Sequence, residues 1–376
     1  MTLKLIPVLL LFATNPITEV IGPDVIRQAD CYLSFQPVTV TDFVAERSAG
    51  GIHDFYSEGD YWWPDPQNPD GPYIQRDGES NPDNFTAHRK AMVDMSMAVG
   101  SMTSAYLLTK DKKYAQAVER HIRAWFINPK TMMNPSLLYA QAIKGKVTGR
   151  GIGIIDTLHL LEVVQSLIRL EEEGAISKEC IQGARRWFAS YLEWMTTHEY
   201  GLSEMNAKNN HSTCWAVQAA IFAKFTGNEP VMELCRNRFK ENYVQQQMAI
   251  DGSFPQELSR TKPYGYSLFN LDAIVVLCHI LSQDGEDLWS YETPDGKSIQ
   301  KALEFMLPYV QDKNVWPYTK DVMYWDEWPV AQPAFFLGWK HFKEDRYYQV
   351  WKKYGHFPTN TEVLRNLPLR NPIIWM

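Results

Sequence analysis

From about residue 84 onward, apolar positions recur at three- and four-residue intervals with polar residues between them. That spacing gathers apolar side chains on one face of a helix. It predicts helices over 92–108, 112–127, 153–170, 178–195, 212–225, 230–248, 267–281, 298–308 and 333–341. No run alternates convincingly enough to predict a strand. Short polar turns such as "TKDKK" (109–113) and "TGNEP" (226–230) separate the helices. One arrangement occurs three times, at 105–121, 221–237 and 336–352: an apolar helix end, a polar turn and an amphipathic helix. Repeated helical hairpins stack into a solenoid or close into a toroid. The expected fold is all-α, an (α/α)6-7 toroid that forms an incomplete barrel of hairpins. Such a toroid places the starts of its inner helices around one cleft.

Two long segments interrupt the helical pattern. Residues 53–83 contain "DYWWPDPQNPDGPYIQRDGESNPD", and residues 131–151 read "TMMNPSLLYAQAIKGKVTGRG". Irregular segments of this length inside a compact domain are often functional. Both carry large aromatic or apolar residues, unlike a linker. One domain over 23–376 with long irregular loops over the cleft is therefore expected. At the start, one lysine precedes an apolar run over 5–13, which fits the core of a signal peptide. Residues 1–22 are read as such a signal, or else as a packed apolar segment. A signal would make the protein periplasmic or secreted. The run is too short to span a bilayer, and no other stretch approaches a span.

Composition narrows the function. The 376 residues are 45% hydrophobic and 22% charged, which supports a sizeable core. There are 13 Trp, 19 Tyr and 17 Phe, an excess that suits packing of flat rings on sugars. The net charge of −7 and the lack of a basic run argue against nucleic acid and membrane partners. A negative protein still binds an acidic ligand where its cleft is locally basic. The five cysteines have no metal-ligand spacing, so zinc is not expected; most should be buried thiols, without disulfides.

Two polar clusters lead into apolar helices. "KNNHSTCW" (208–215) puts Asn210 and His211 at a predicted helix start. Taken alone, a capped helix with a first-turn histidine explains it. "DGSFPQELSRTKPYGYSLFNLDA" (251–273) holds Arg260, Lys262, Tyr264 and Tyr266. Taken alone, a polar loop with core-covering tyrosines explains that too. Together the clusters suit removal of a proton alpha to a carboxylate. Asn, His and Arg would neutralise the carboxylate. A tyrosine beside an arginine would be favoured as phenolate and could act as base, then acid. That is β-elimination of a uronate polysaccharide, which needs no cofactor.

The sequence resembles the alginate lyase family of α/α-toroid polysaccharide lyases, and is most similar to polysaccharide lyase family 38. The resemblance rests on "NNHS" (209–212), "ELSRTKPYGYS" (257–267), "DYWWPDP" (60–66), "MNPSLLYAQ" (133–141) and "GRGIGIID" (149–156), in that family's order along the chain. It implies that Asn210 and His211 neutralise the C5 carboxylate, with His211 also able to act as base. It implies that Tyr266 is the catalytic acid, and the base for syn elimination. Arg260 would hold Tyr266 in its reactive form. In the family-5 alginate lyases the interval from arginine to tyrosine is one residue longer, which makes Tyr264 a competitor. The family-38 interval favours Tyr266 and leaves Tyr264 as a subsite residue. Tyr61, Trp62 and Trp63 are expected to stack on sugars or form a lid, or else to anchor their loop. Gln141 and Arg150 are expected to bind uronate groups, with an Arg150–Asp156 salt bridge as the alternative. Trp328 or Glu327 of "YWDEWP" (324–329) would add to the cleft. No metal and no cofactor are implied, and the partner is an acidic polysaccharide. Two other readings compete: a glycoside hydrolase using Asp251 and Glu257 with Asp65 or Glu327, and a non-catalytic carbohydrate-binding helical-repeat protein.

Overall fold

The computed structural model describes residues 15–282 and 285–376. In chain order its helices are α1 (Pro16–Tyr32), α2 (Ala87–Thr109), α3 (Lys112–Phe126), α4 (Leu160–Glu172), α5 (Lys178–Thr197), α6 (Glu199–Met205) and α7 (Asn210–Thr226). Then come α8 (Glu229–Arg238), α9 (Pro255–Leu258), α10 (Pro263–Leu281), α11 (Ile299–Gln311), α12 (Pro333–Phe342), α13 (Asp345–Lys353) and α14 (Thr361–Arg365). Helix α8 runs on into a wider π-type stretch, Phe239–Gln247, so the helix expected over 230–248 changes character midway.

The helices form two layers. Helices α2, α4, α7, α10 and α12 pack side by side as an inner row. Helices α3, α5, α8, α11 and α13 each return along the outside. The division follows from sequence. Helices α7 and α10 are apolar nearly all round, so they are stable only where every face is covered. Helices α3 and α13 carry one apolar stripe and keep their charged face in water. Helix α10 is long and apolar enough to cross a membrane, contrary to the sequence expectation, but 94% of that stretch is buried inside the protein. The result is the expected incomplete toroid: five hairpins among the described residues, with α1 packed on α2 where a further one would stand.

The three repeated sequences are three hairpin joints. Each inner helix there ends on a left-handed residue: Lys110 (φ 59°), Gly227 (φ 71°) and Lys343 (φ 59°). This conformation turns the chain and lets the next amide bond back to the helix end. At two of the joints the outer helix starts on a capping side chain, Asp111 or Asn228.

Residues 1–14 of the expected signal lie outside the described residues. Helix α1 starts at Pro16 and buries Ile17, Ile21 and Val25. The expected boundary at 22 therefore falls inside a packed helix. All five cysteines are free, and four of them are buried.

The two irregular segments carry the strands. Strand β1 (Tyr56–Glu58) pairs in parallel with β4 (Tyr139–Ala142), and β2 (Trp62–Trp63) pairs antiparallel with β3 (Ile74–Gln75). The C-terminal tail closes the other side of the ring. Glu162 of α4 is fully buried and accepts four bonds from it: Arg370 N (2.8 Å) and Nε (3.1 Å), and Asn371 N (2.6 Å) and Nδ2 (3.1 Å). Glu162→Ala leaves the Arg370 guanidinium buried without this partner, so it should lower unfolding free energy by about 3–5 kcal/mol in urea titrations. Glu162→Gln, which keeps the shape and part of the bonding, should lose less.

Candidate active site

The inner-helix starts and the two irregular segments meet around a cavity of about 110 Å³. Asn210 and His211 line it from the first turn of α7, and Arg260 and Tyr266 line it from the start of α10 and the loop before it. Tyr61, Trp62, Gln141 and Arg150 line it from the irregular segments. The two clusters that sequence placed on separate helices thus share one site.

Each of these side chains is held by a partner. The side chain of Asn209 caps α7 through the His211 amide. Asn210 donates its backbone N–H and its side-chain Nδ2 to the two oxygens of buried Glu257, both at 2.6 Å. His211 Nδ1 lies 2.6 Å from Oε1 of buried Glu204. That bond orients the ring and leaves Nε2 as its other polar atom. Burial lowers the affinity of His211 for a proton, but the Glu204 carboxylate outweighs it and holds the pKa above the ordinary histidine value. The pairing thus favours the cationic ring more than in an ordinary histidine. A ring of this kind suits hydrogen bonding to a carboxylate better than it suits proton abstraction.

Tyr266 is buried, and its hydroxyl lies 2.7 Å from that of Tyr61. The Arg260 guanidinium lies over its ring, 4.6 Å from the centroid, and is held bidentately by Asp77 at 2.7 and 3.2 Å. The Lys262 ammonium lies 5.2 Å from the same centroid. Burial and the Tyr61 phenol nevertheless push the Tyr266 pKa well up, against the pull of Arg260. Arg260 thus pulls the Tyr266 pKa down, as expected, but burial, which the sequence did not show, outweighs it.

Three expected residues lie elsewhere. Tyr264 is fully buried, donates to the Tyr309 carbonyl at 3.0 Å and packs edge-on against Trp316. Two residues on a helix are about 200° apart, so with Tyr266 facing the cleft Tyr264 must face the core. Trp63 neighbours Trp62 on β2, and successive strand residues face opposite sides. Its indole meets Arg76 at 5.0 Å and bonds the Glu79 carbonyl at 2.9 Å, outside the cleft. Trp328 is buried behind α10, near Gly265.

Gln141 and Arg150 do reach the cleft, in an unexpected way. Gln141 has a left-handed backbone (φ 54°), and its Nε2 donates to Asp60 at 3.1 Å and Asp156 at 3.2 Å. Arg150 Nε donates to the Gln141 carbonyl at 2.8 Å rather than forming a salt bridge to Asp156. Sequence reasoning missed Asp77, Glu204, Arg365 and Asn366. Arg365 pairs with Asp60 at 2.9 Å, and its Nη2 donates to the Tyr61 hydroxyl at 3.3 Å. Among the described residues no group of three or more His, Cys, Asp or Glu is placed to hold a metal ion.

A family model described as alginate lyase matches residues 39–316, and the chain belongs to that family. It is thus a polysaccharide lyase. An alginate lyase from Bacteroides ovatus is 34% identical, with a TM-score of 0.82 over 96% of this chain and 94% of that one. Alginate lyase A1-III from Sphingomonas species A1 shares the fold at 14% identity and a TM-score of 0.55, over 86% of this chain and 88% of that one. A histidine-to-alanine variant of A1-III complexed with tetrasaccharide gives a TM-score of 0.52 at 13% identity, over 90% and 81%. No curated protein matched the chain.

Replacing Glu204 by Gln removes the charge that raises the His211 pKa. The His211 titration followed by NMR should move to lower pH in Glu204→Gln. The ion pair's contribution to stability is complete below the unfolded histidine pKa and is lost as pH rises through the folded one. The variant's stability deficit should therefore shrink over that window.

Proposed function

We propose that the protein cleaves alginate by β-elimination, with polymannuronate the best-fitting block and glucuronan a related substrate. Asn210 and the cationic His211 receive the C5 carboxylate. Their hydrogen bonds stabilise the charge that builds on it as C5 loses its proton. Tyr266 handles the protons. In mannuronate the C5 proton and O4 leave from the same side, so one phenol serves both. Tyr266 as phenolate takes the C5 proton, the C4–O4 bond breaks, and the new phenol returns that proton to O4. The products are a C4–C5 unsaturated uronate and a new hydroxyl end. Arg260 and Lys262, stacked close to the ring, reduce the cost of forming the phenolate that burial opposes. The observation that carries this reading is the convergence of Asn210, His211, Arg260 and Tyr266 on one cavity.

A hydrolase needs two free carboxyl groups across the scissile bond. The carboxylates lining this cavity, Asp60 and Asp77, are both committed to arginines. Burial raises the Asp60 pKa, but Arg365 and Arg89 outweigh it and hold it low; Arg260 does the same for Asp77. Neither is placed to act as an acid. Glu257 is occupied by Asn210, and Asp251 lies outside the cavity. We also propose export, since the polymer is met outside the cell; cleavage ahead of Pro16 would leave α1 whole.

Tyr266→Phe should lower kcat on polymannuronate by at least about a hundredfold, read from the ultraviolet absorbance of the unsaturated product. Tyr264→Phe should retain activity and lose about 1 kcal/mol of stability, for its bond to the Tyr309 carbonyl. Activity surviving in Tyr266→Phe and lost in Tyr264→Phe would reverse the assignment. Reducing ends without unsaturated product would replace the lyase reading by hydrolysis.

A further inference from the structure

A second, larger concavity of about 680 Å³ adjoins the catalytic cavity in the chain: Ala142 and Gly149 line it, next to Gln141 and Arg150 of the cavity. Its wall is the turn at 143–149, which leaves β4 directly after Gln141 and Ala142. The turn is fixed at its backbone. Ile143 and Val147 form a bridge, and the Tyr73 amide donates to the Lys144 carbonyl at 3.1 Å. Gly145 takes φ +75°, and a Cβ there would lie 2.8 Å from the Pro72 Cα. Ile143 is buried, and the side chains of Lys144, Lys146, Val147 and Thr148 are exposed.

Two of them are cations. Lys146 Nζ lies 5.4 Å from the centroid of the Trp62 ring, and Arg150 of the catalytic cavity lies 5.8 Å from the same ring. Lys144 Nζ lies 5.5 Å from the Tyr73 ring. Among the described residues neither lysine has a salt-bridge partner. Glu58, the acid in this wall, is taken up by Arg47 at 2.5 Å and by the Tyr56 hydroxyl at 2.8 Å. No free carboxylate there repels an anion. The chain carries a net charge of −7, so a locally positive tract leading out of the cleft is a departure from the overall charge.

We propose that this concavity is a remote subsite for the same polyuronate chain, in which Lys144 and Lys146 bind carboxylates of units several residues from the scissile bond. The inference rests on the lyase reading and extends it. A polymer seated at Tyr266 passes Trp62 and meets Lys146 and then Lys144. Oligomers that just span the scissile bond do not reach them. The site selects for chain length, and so favours internal cleavage of long polymer over trimming of short ends.

The test is the double variant Lys144→Gln/Lys146→Gln, assayed on long polymannuronate and on short oligomannuronates at low and moderate salt. The polymer KM should rise about fivefold at low salt, with kcat unchanged. The rise of wild-type polymer KM with salt should be weaker in the variant. Both constants on the short oligomers should stay at wild-type values. A polymer KM and salt response equal to wild type would overturn the inference and leave the lyase reading standing. An equal loss on short and long substrates would also overturn it, because the lysines would then act at the catalytic cavity. A wild type that forms no unsaturated product from any polyuronate would overturn the lyase reading and this inference with it.

Discussion

The cleft depends on one buried carboxylate. Asp60 accepts two bonds from Arg89 of α2, at 2.6 and 3.0 Å, and one from Gln141 of β4 at 3.1 Å. It also pairs with Arg365 of α14 at 2.9 Å. Four segments far apart in sequence are thereby fixed to one point. Around it the charges balance. Arg89, Arg365 and Lys262 face Asp60, Asp156 and Glu362, three cations against three anions. A buried charge is tolerated only when paired and hydrogen-bonded, and removing any one of the six leaves another uncompensated. The network adds little net stability by itself. It makes every arrangement of the irregular segments other than this one costly.

That neutrality shapes the chemistry. Cations already matched inside the protein have little charge left for a uronate. The attraction must come from hydrogen-bond donors that still reach the cleft. His211 is one source: Glu204 takes its Nδ1 and raises its pKa, while the ring lines the cleft with Nε2 as its other polar atom. The start of α7 is another. Glu257 already takes the backbone N–H and one side-chain N–H of Asn210, its first residue, and the second N–H of that side-chain amide is left for the cleft. Amide and imidazolium stand at the helix start because the toroid turns the inner-helix starts toward one cleft. The carboxylate position in the proposed reaction is thus one that the fold and these donors share.

Much of this was legible in the sequence, for identifiable reasons. Helical spacing located the inner and outer helices, and the three echoed hairpins foretold three joints with the same left-handed turn. Helix α1 was missed because Pro16 and Pro23 obscured its pattern and the neighbouring apolar run read as a signal. At the site, Asn210, His211, Arg260 and Tyr266 were found because they stand in compact clusters before apolar helices. Tyr264 and Trp63 were misplaced for one reason: the direction a side chain takes on a helix or strand cannot be read from membership in a motif. Glu204, Asp77 and Arg365 left no signal. Each works through a partner distant in sequence or across a turn, and pairing of that kind appears only in three dimensions. The same limit applied to the Tyr266 pKa, where sequence offered the nearby arginine but not the burial that overrides it.

The contact between Tyr61 and Tyr266 connects the network to the reaction. The two phenol hydroxyls share one hydrogen bond, and Arg365 donates to that of Tyr61. In the proposed reaction O4 must come within reach of the Tyr266 hydroxyl, whose bond with Tyr61 either hydroxyl can donate. A sugar oxygen that took the place of Tyr61 would turn that side chain aside. Tyr61 follows Asp60 directly, so the backbone beside it is anchored and the exchange falls to the Tyr61 side chain. Leaving Tyr266, the Tyr61 hydroxyl keeps Arg365 and the nearby Lys262, 5.0 Å from its ring, as cationic neighbours. The departure removes a neighbour that raises the Tyr266 pKa and leaves Arg260, which lowers it. In the proposed reaction, a substrate that displaced Tyr61 would thus ease ionisation of Tyr266, while the anchored Asp60 holds the loop in place.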